Sequence, residues 1–184
     1  MPMWLIILLI VVVILILVFI SCYNSLVSLR NKVRDQFSQI DIQLKRRSDL
    51  IPNVVETVKG YVKHEKSTLE EVIKARNTYL SSKTNEDKIN SSKEMTEAVN
   101  KLFALAEAYP ELKANTNFLQ LQNELKETED KISYARQFYN DSVLMYNNKV
   151  ETFPSNIIAN MFGFKTNTFF EATEEERKNV EVKF

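Results

Sequence analysis

Hydrophobic and polar residues alternate along this chain in two different modes. From Trp4 to Ile20 every side chain is apolar, mostly Leu, Ile and Val, with no polar stripe. A helix rising 1.5 Å per residue needs about 20 residues to cross ~30 Å of hydrocarbon, and that length is available from the first residue. A core helix of a soluble domain would keep a polar face, and this run has none. Beyond Ile20 the apolar residues recur at steps of three and four, the spacing of helices that each bury a single stripe.

The first stripe is Leu26, Leu29, Val33, Phe37, Ile40 and Leu44. Polar residues from Lys45 to Asp49 follow, then Leu50, Ile51 and Pro52. Proline is tolerated in a first turn, and Asp49 has the chemistry of an N-cap, so a second helix from Leu50 to Leu80 is expected. Its stripe is Ile51, Val55, Val58, Val62, Leu69, Val72 and Ile73. At Arg47–Pro52 two arrangements fit. The helical phase is kept across Leu44, Ile51 and Val55 with no glycine to mark a C-cap, which suits a kink. Comparable segment lengths suit a full reversal, the preferred arrangement, as in an up-down bundle.

Ser81 to Asn85 is a polar connection, with Asn85 as the expected cap and Glu86 and Asp87 complementing the dipole of a third helix. Ile89, Met95, Val99, Leu102, Phe103 and Ala106 form its stripe, and it should end near Tyr109, before Pro110. A fourth helix is expected from Phe118 to Thr152, capped by Asn117, with Phe118, Leu121, Leu125, Ile132, Ala135, Tyr139, Val143, Tyr146 and Val150 facing the core. Glu129 and Arg136 share that stripe. They are either snorkelling groups at its edge or members of a coupled core network.

After Pro154 a short helix from Ser155 to Phe162 should close at Gly163. The remaining tail carries Phe164, Phe169, Phe170, an acidic stretch from Glu171 to Glu176 and a terminal Val180–Phe184. This aromatic density suits packing over the bundle end, a docking surface or a membrane-interface segment. The organisation expected is therefore all-α. Residues 1–22 are an N-terminal transmembrane anchor. Residues 23–152 form an antiparallel bundle of three or four long helices, four being preferred. Residues 153–184 are an aromatic-rich segment, a short helix and an irregular tail, on the bundle end.

A cleaved signal peptide and a lipoprotein signal ending at Cys22 are alternatives to the anchor. Both lack a basic n-region, and Phe19-Ile20-Ser21 is too bulky for a cleavage site. Arg30, Lys32 and Arg34 follow the run and nothing basic but the amine precedes it, so the positive-inside rule expects the N-terminus outside and the bundle in the cytoplasm.

Composition narrows the chemistry. The 184 residues have zero formal net charge, so no basic field points to nucleic acid. The two glycines, Gly60 and Gly163, leave no material for a phosphate loop. One histidine, His64, and one cysteine, Cys22, cannot build a zinc site, and no Glu stands three residues before His64 as a di-metal bundle requires. No Gly-x-Ser-x-Gly elbow accompanies His64 to make a triad. Arg46 and Arg47 could touch lipid headgroups. Neither catalysis, a cofactor, a metal nor a small-molecule substrate is expected.

Several stretches carry a resemblance. They are Tyr23-Asn24-Ser25-Leu26-Val27; the long run from Gln39 to Tyr61, containing Leu44-Lys45-Arg46-Arg47-Ser48-Asp49-Leu50-Ile51-Pro52-Asn53; Ala108-Tyr109-Pro110-Glu111-Leu112; Thr128-Glu129, Ala135-Arg136 and Tyr139-Asn140; and Phe153-Pro154 with Phe162-Gly163-Phe164. Through these the chain resembles the LemA family of bacterial single-span membrane proteins over essentially its whole length. The resemblance implies a transmembrane helix, an antiparallel helical bundle and no known catalytic activity, and it transfers no functional residue set. The family's members resemble scaffolding or accessory proteins at membranes, one branch being associated with magnetosome formation. The functional expectation is a scaffold held in the lipid bilayer through residues 4–20, self-associating as a homo-oligomer or recruiting a membrane-protein partner. A regulatory adaptor or sensor bound to one membrane partner, such as a membrane protease, is the alternative.

Overall fold

Pro52 does not break the helix in which it lies. In the computed structural model, which describes residues 2–62 and 65–171, helix α1 runs unbroken from Met3 to Lys59. It is followed by α2 (Lys66–Ser81), α3 (Asn85–Glu107), α4 (Pro110–Lys113), α5 (Thr116–Glu151) and α6 (Ser155–Met161). The described residues are all-helical apart from connections. They fall into two compact units: residues 2–37 with 137–169, and residues 38–62 and 65–136 with 170–171. Both α1 and α5 contribute to each.

In the second unit four helices run up, down, up and down. Asp41 of α1 meets Tyr79 of α2 and Lys88 of α3, whereas Tyr61, just past the other end of α1, meets Asn115 before α5. Glu71 pairs with Lys101, so α2 and α3 are antiparallel. The rings of Phe103 and Phe118 lie 6.3 Å apart, and Glu129 of α5 returns to the level of Arg47. The core is the expected stripe: Ile40, Leu44, Ile51, Val55, Val58, Leu69, Val72, Ile89, Met95, Val99, Leu102, Leu125 and Ile132 are buried. Burying each such side chain stabilises by about 1.5–3 kcal/mol. Ile73, placed on that stripe by its spacing, is exposed instead.

The first unit is a helical hairpin. Phe37 stacks edge-on against Tyr139 at 5.6 Å, and Leu26 and Val33 are buried with Val143, Tyr146 and Val150. At its far end α6 packs Ser155, Ile158 and Ala159 inward. Gly163, with φ at 69°, then closes α6. The amide of Gly163 reaches the carbonyl of Asn160 and that of Phe164 the carbonyl of Ala159, the paired bonds of a left-handed helix stop.

Four expectations are corrected. The preferred reversal at Arg47–Pro52 does not occur; the chain turns between Lys59 and Lys66, dividing the helix expected from Leu50 to Leu80. Gly60 sits in that turn, just after a basic last turn, a stop signal the spacing of apolar residues overrode. Asp49, expected as an N-cap, lies mid-helix and pairs with Lys45 one turn back. Thr84, not Asn85, caps α3: its hydroxyl accepts from the Asp87 amide at 3.0 Å while the Asp87 carboxylate accepts from the Thr84 amide. Asn115, not Asn117, caps α5, its Oδ1 accepting from the Phe118 amide at 2.9 Å.

Candidate functional site

The buried cation of the second unit's interior comes from the apolar face of α1. Leu44, Arg47, Ile51 and Val54 follow each other at helical steps, so Arg47 is carried into the core while Lys45 and Arg46 stay on the surface. Arg47 is 3 % exposed. Its Nη1 donates to Thr96 Oγ1 at 2.8 Å and lies 2.6 Å from Glu129 Oε2. Thr96 in turn donates to the carbonyl of Ser92, so the guanidinium is tied to α3 and α5 together. A crevice of about 220 Å³ opens over this pair, walled by Val99, Phe103 and Leu125, with Asn100, Gln122 and Lys126 along it. A charge desolvated this far is tolerated only when paired, which Glu129 provides.

Glu129 and Arg136 were candidates for one coupled network. Their partners differ. Arg136 lays its guanidinium 4.5 Å from the Phe170 ring centroid and donates to the carbonyl of Glu171 at 3.1 Å. The missed residue is Arg47, which the sequence places beside two exposed cations. Its position three after Leu44 and four before Ile51 was the available signal.

A second cluster lies toward the start of the unit. Lys88 Nζ reaches both carboxylate oxygens of Asp41, at 2.8 and 2.7 Å, and the Tyr79 hydroxyl donates to Asp41 Oδ1 at 3.0 Å. Burial first, then the Asp41 charge and this hydrogen bond, push the Tyr79 phenol well above its usual range. At the other end Tyr61 accepts from Asn115 Nδ2 at 2.7 Å, so one asparagine both caps α5 and fastens the residue after Gly60.

In the first unit the notable cluster is aromatic. The Phe162 ring lies 4.8 Å from Tyr23 and 6.0 Å from Phe19, and Phe164 lies 5.9 Å from Tyr23. Arg30 lies over the Phe164 ring, 4.9 Å from its centroid. The segment after α5 therefore returns to the end of the apolar run, although α1 does not reverse at Pro52. Tyr139 donates to the carbonyl of Thr168 at 2.9 Å, and Asn147 holds Asn167 by both its amide nitrogen and its oxygen.

The run of 3–20 is exposed throughout, and α1 is the one helix among the described residues long and apolar enough to cross a membrane. Cys22 is a free thiol. Among the described residues no three His, Cys, Asp or Glu side chains gather. His64, the acidic stretch beyond Glu171 and Val180–Phe184 lie outside the described residues.

The chain matches the LemA family model over residues 36–184. It is 28 % identical to Protein LemA of Metamycoplasma hominis over 169 residues, 90 % of this chain and 76 % of that protein. It is also 31 % identical over 74 residues to each of the magnetosome proteins MamQ 2 and MamQ 1 of Paramagnetospirillum magneticum, covering 40 % of this chain and 27 % of each relative. With four-fifths of its length inside the family model, this chain belongs to the LemA family.

Proposed function

We propose that this protein is a non-catalytic scaffold anchored in a bilayer by residues 4–20, with the N-terminus outside and the helical bundle in the cytoplasm, where it self-associates or recruits a membrane-protein partner. The observation that carries this reading is the character of α1 in the first unit. Its residues 3–20 present nothing but apolar side chains to the surroundings, and its next turns pack as an ordinary core helix. Water would not leave such a surface bare, and a bilayer covers it.

The absence of catalysis is part of the proposal. Arg47, Glu129, Asp41 and Lys88 engage one another's helices, as groups that hold a bundle together do. Cations at Arg30, Lys32 and Arg34 support the cytoplasmic placement.

Cross-linking in intact membranes tests the reading. A ladder of multiples of the chain mass supports self-association. One discrete heavier species containing a different membrane protein, identified by mass spectrometry, supports recruitment. A chain that stays uncross-linked and is extracted from membranes by high salt without detergent overturns both the scaffold and its anchor.

A further inference from the structure

The first unit carries an apolar surface that its own fold leaves bare. Ile157 and Met161, one turn apart, share one face of α6, and Phe153 lies in the turn just before it. Phe153, Ile157 and Met161 are 80, 54 and 66 % exposed, while Ser155, Ile158 and Ala159 on the opposite face are buried. Phe162 adds to the same end. An exposed face this apolar is unusual on a helix whose inner face is already satisfied.

Its position says what covers it. The Phe162 ring touches Phe19 and Tyr23, the residues that bracket Ile20, where the uninterrupted apolar run ends. Arg30, the first charged side chain of α1, contacts Phe164, on the far side of Tyr23 from the run. Ten residues separate Ile20 from Arg30, roughly 15 Å of helix, the depth over which headgroups replace acyl chains. The chain also omits charge where a bilayer would penalise it: from Thr152 to Phe164 no side chain is charged, although 26 % of the whole chain is. Charge resumes on either side, at Glu151 and Lys165.

We infer that α6 is a second membrane contact, lying in the plane of the bilayer at the exit of the spanning helix with Phe153, Ile157 and Met161 inserted among the upper acyl chains. The inference rests on residues 4–20 spanning that bilayer. Short as it is, α6 does not bind by itself; it is held at the interface by Phe19 and Tyr23 and adds apolar area to an anchor already in place. Its effect is to fix the rotation of α1 about its own axis.

Depth-dependent fluorescence quenching tests this with the full chain in phosphatidylcholine–phosphatidylglycerol vesicles. Trp4 is the only tryptophan. In a Trp4→Phe background, Ile157→Trp and Met161→Trp each place an indole at an exposed position, so the fold is not at stake, and circular dichroism checks that helicity is unchanged. Lipids brominated just below the headgroup should quench both indoles and shift their emission to the blue. Phe138→Trp, exposed on α5 beside Tyr139, should emit as in water. Quenching of Trp4 in the unaltered chain with none at positions 157 and 161 overturns the interfacial placement alone. Failure to quench Trp4 overturns the anchor, and this inference with it. Emission at 157 and 161 that follows the protein-to-lipid ratio but ignores bromine assigns the face to a second copy of the chain and overturns the lipid contact.

Discussion

Glu129 of α5 meets Arg47 of α1, with 2.6 Å between Oε2 and Nη1, across the bundle rather than along its own helix. Of the two charges the arginine is the deeper, its side chain 4 % exposed against 32 % for the glutamate. Removing the carboxylate therefore strands a desolvated cation. Glu129→Gln should cost about 3 kcal/mol, the lower end for breaking a buried pair because one partner is partly solvated. In a denaturation cycle, Glu129→Gln and Arg47→Met should cost markedly less together than the sum of the singles. Glu129→Gln and Arg136→Met should add to within about 0.5 kcal/mol. Strong coupling in the second pair would refute the assignment of separate partners.

Pro52 survives mid-helix because its missing hydrogen bond is replaced. The carbonyl four residues earlier belongs to Ser48, which is fully buried, and Arg76 Nε of α2 donates to it at 2.7 Å. Arg76→Met leaves that carbonyl without its donor and should destabilise by about 1–3 kcal/mol. Restoring an amide hydrogen by Pro52→Ala should reduce the penalty of Arg76→Met. An equal penalty in both backgrounds would show that Arg76 acts through packing alone.

Alkaline pH should unfold the protein through its phenols. Burial raises the Tyr139 and Tyr146 hydroxyls, Arg30 and Arg34 opposing it at Tyr146, and Tyr79 is raised by burial and Asp41. Each then holds its proton to higher pH when folded than when unfolded. Their contribution is complete below about pH 10, where unfolded phenols begin to ionise, and is lost as pH rises through the folded values. The denaturation midpoint should fall above that pH, and Tyr79→Phe should flatten the fall. A midpoint independent of pH in this range would contradict it.

Sidedness can be read chemically. Lys83 is exposed in the connection between α2 and α3. With Cys22→Ser removing the native thiol, Lys83→Cys should resist a membrane-impermeant maleimide in intact cells and react after permeabilisation. Ready labelling of intact cells would place the bundle outside.

Asn115 joins two jobs in one side chain, so Asn115→Ala should cost more than an ordinary cap. Loss of the bond to the Phe118 amide alone removes about 1 kcal/mol, and the Tyr61 hydroxyl loses its donor as well. Urea unfolding of Asn115→Ala in a Tyr61→Phe background should show a smaller loss than in the natural sequence.

What the sequence made legible follows the reach of its signals. Helical periodicity finds most core positions, because a 3.6-residue repeat is dictated locally by the need to bury one stripe; Val54, Tyr79 and Leu112 are buried off the expected stripes. Thr116–Glu151 was foreseen to within two residues at its start and one at its end. The connections were harder. Proline carries a strong local penalty, so Pro52 reads as a boundary until the donor on α2 is known, and that donor lies 28 residues from the carbonyl it serves. Gly60 is compatible with helix and with turn alike, so by itself it marks no boundary. Arg47 failed for a related reason. Its neighbours Lys45 and Arg46 are exposed, and only its spacing from Leu44 and Ile51 marks it as interior. Its carboxylate partner, 82 positions further on, is invisible to any window of local sequence.

The unbroken course of α1 through the first unit has a mechanical corollary. Between Ile20 and Leu26 there is no glycine, proline or loop, so successive residues keep their fixed ~100° step about one axis. Phe19 and Tyr23, one turn apart, present the same side to Phe162, while Leu26, Val33 and Phe37 present theirs to the hairpin core. Turning residues 3–20 about their axis thus turns the packed residues by the same angle, as on a rigid shaft. Adding a single residue at position 21 would swing Phe19 and the apolar run by about 100° against Tyr23 and the packed residues beyond it, whereas adding seven would restore the phase almost completely.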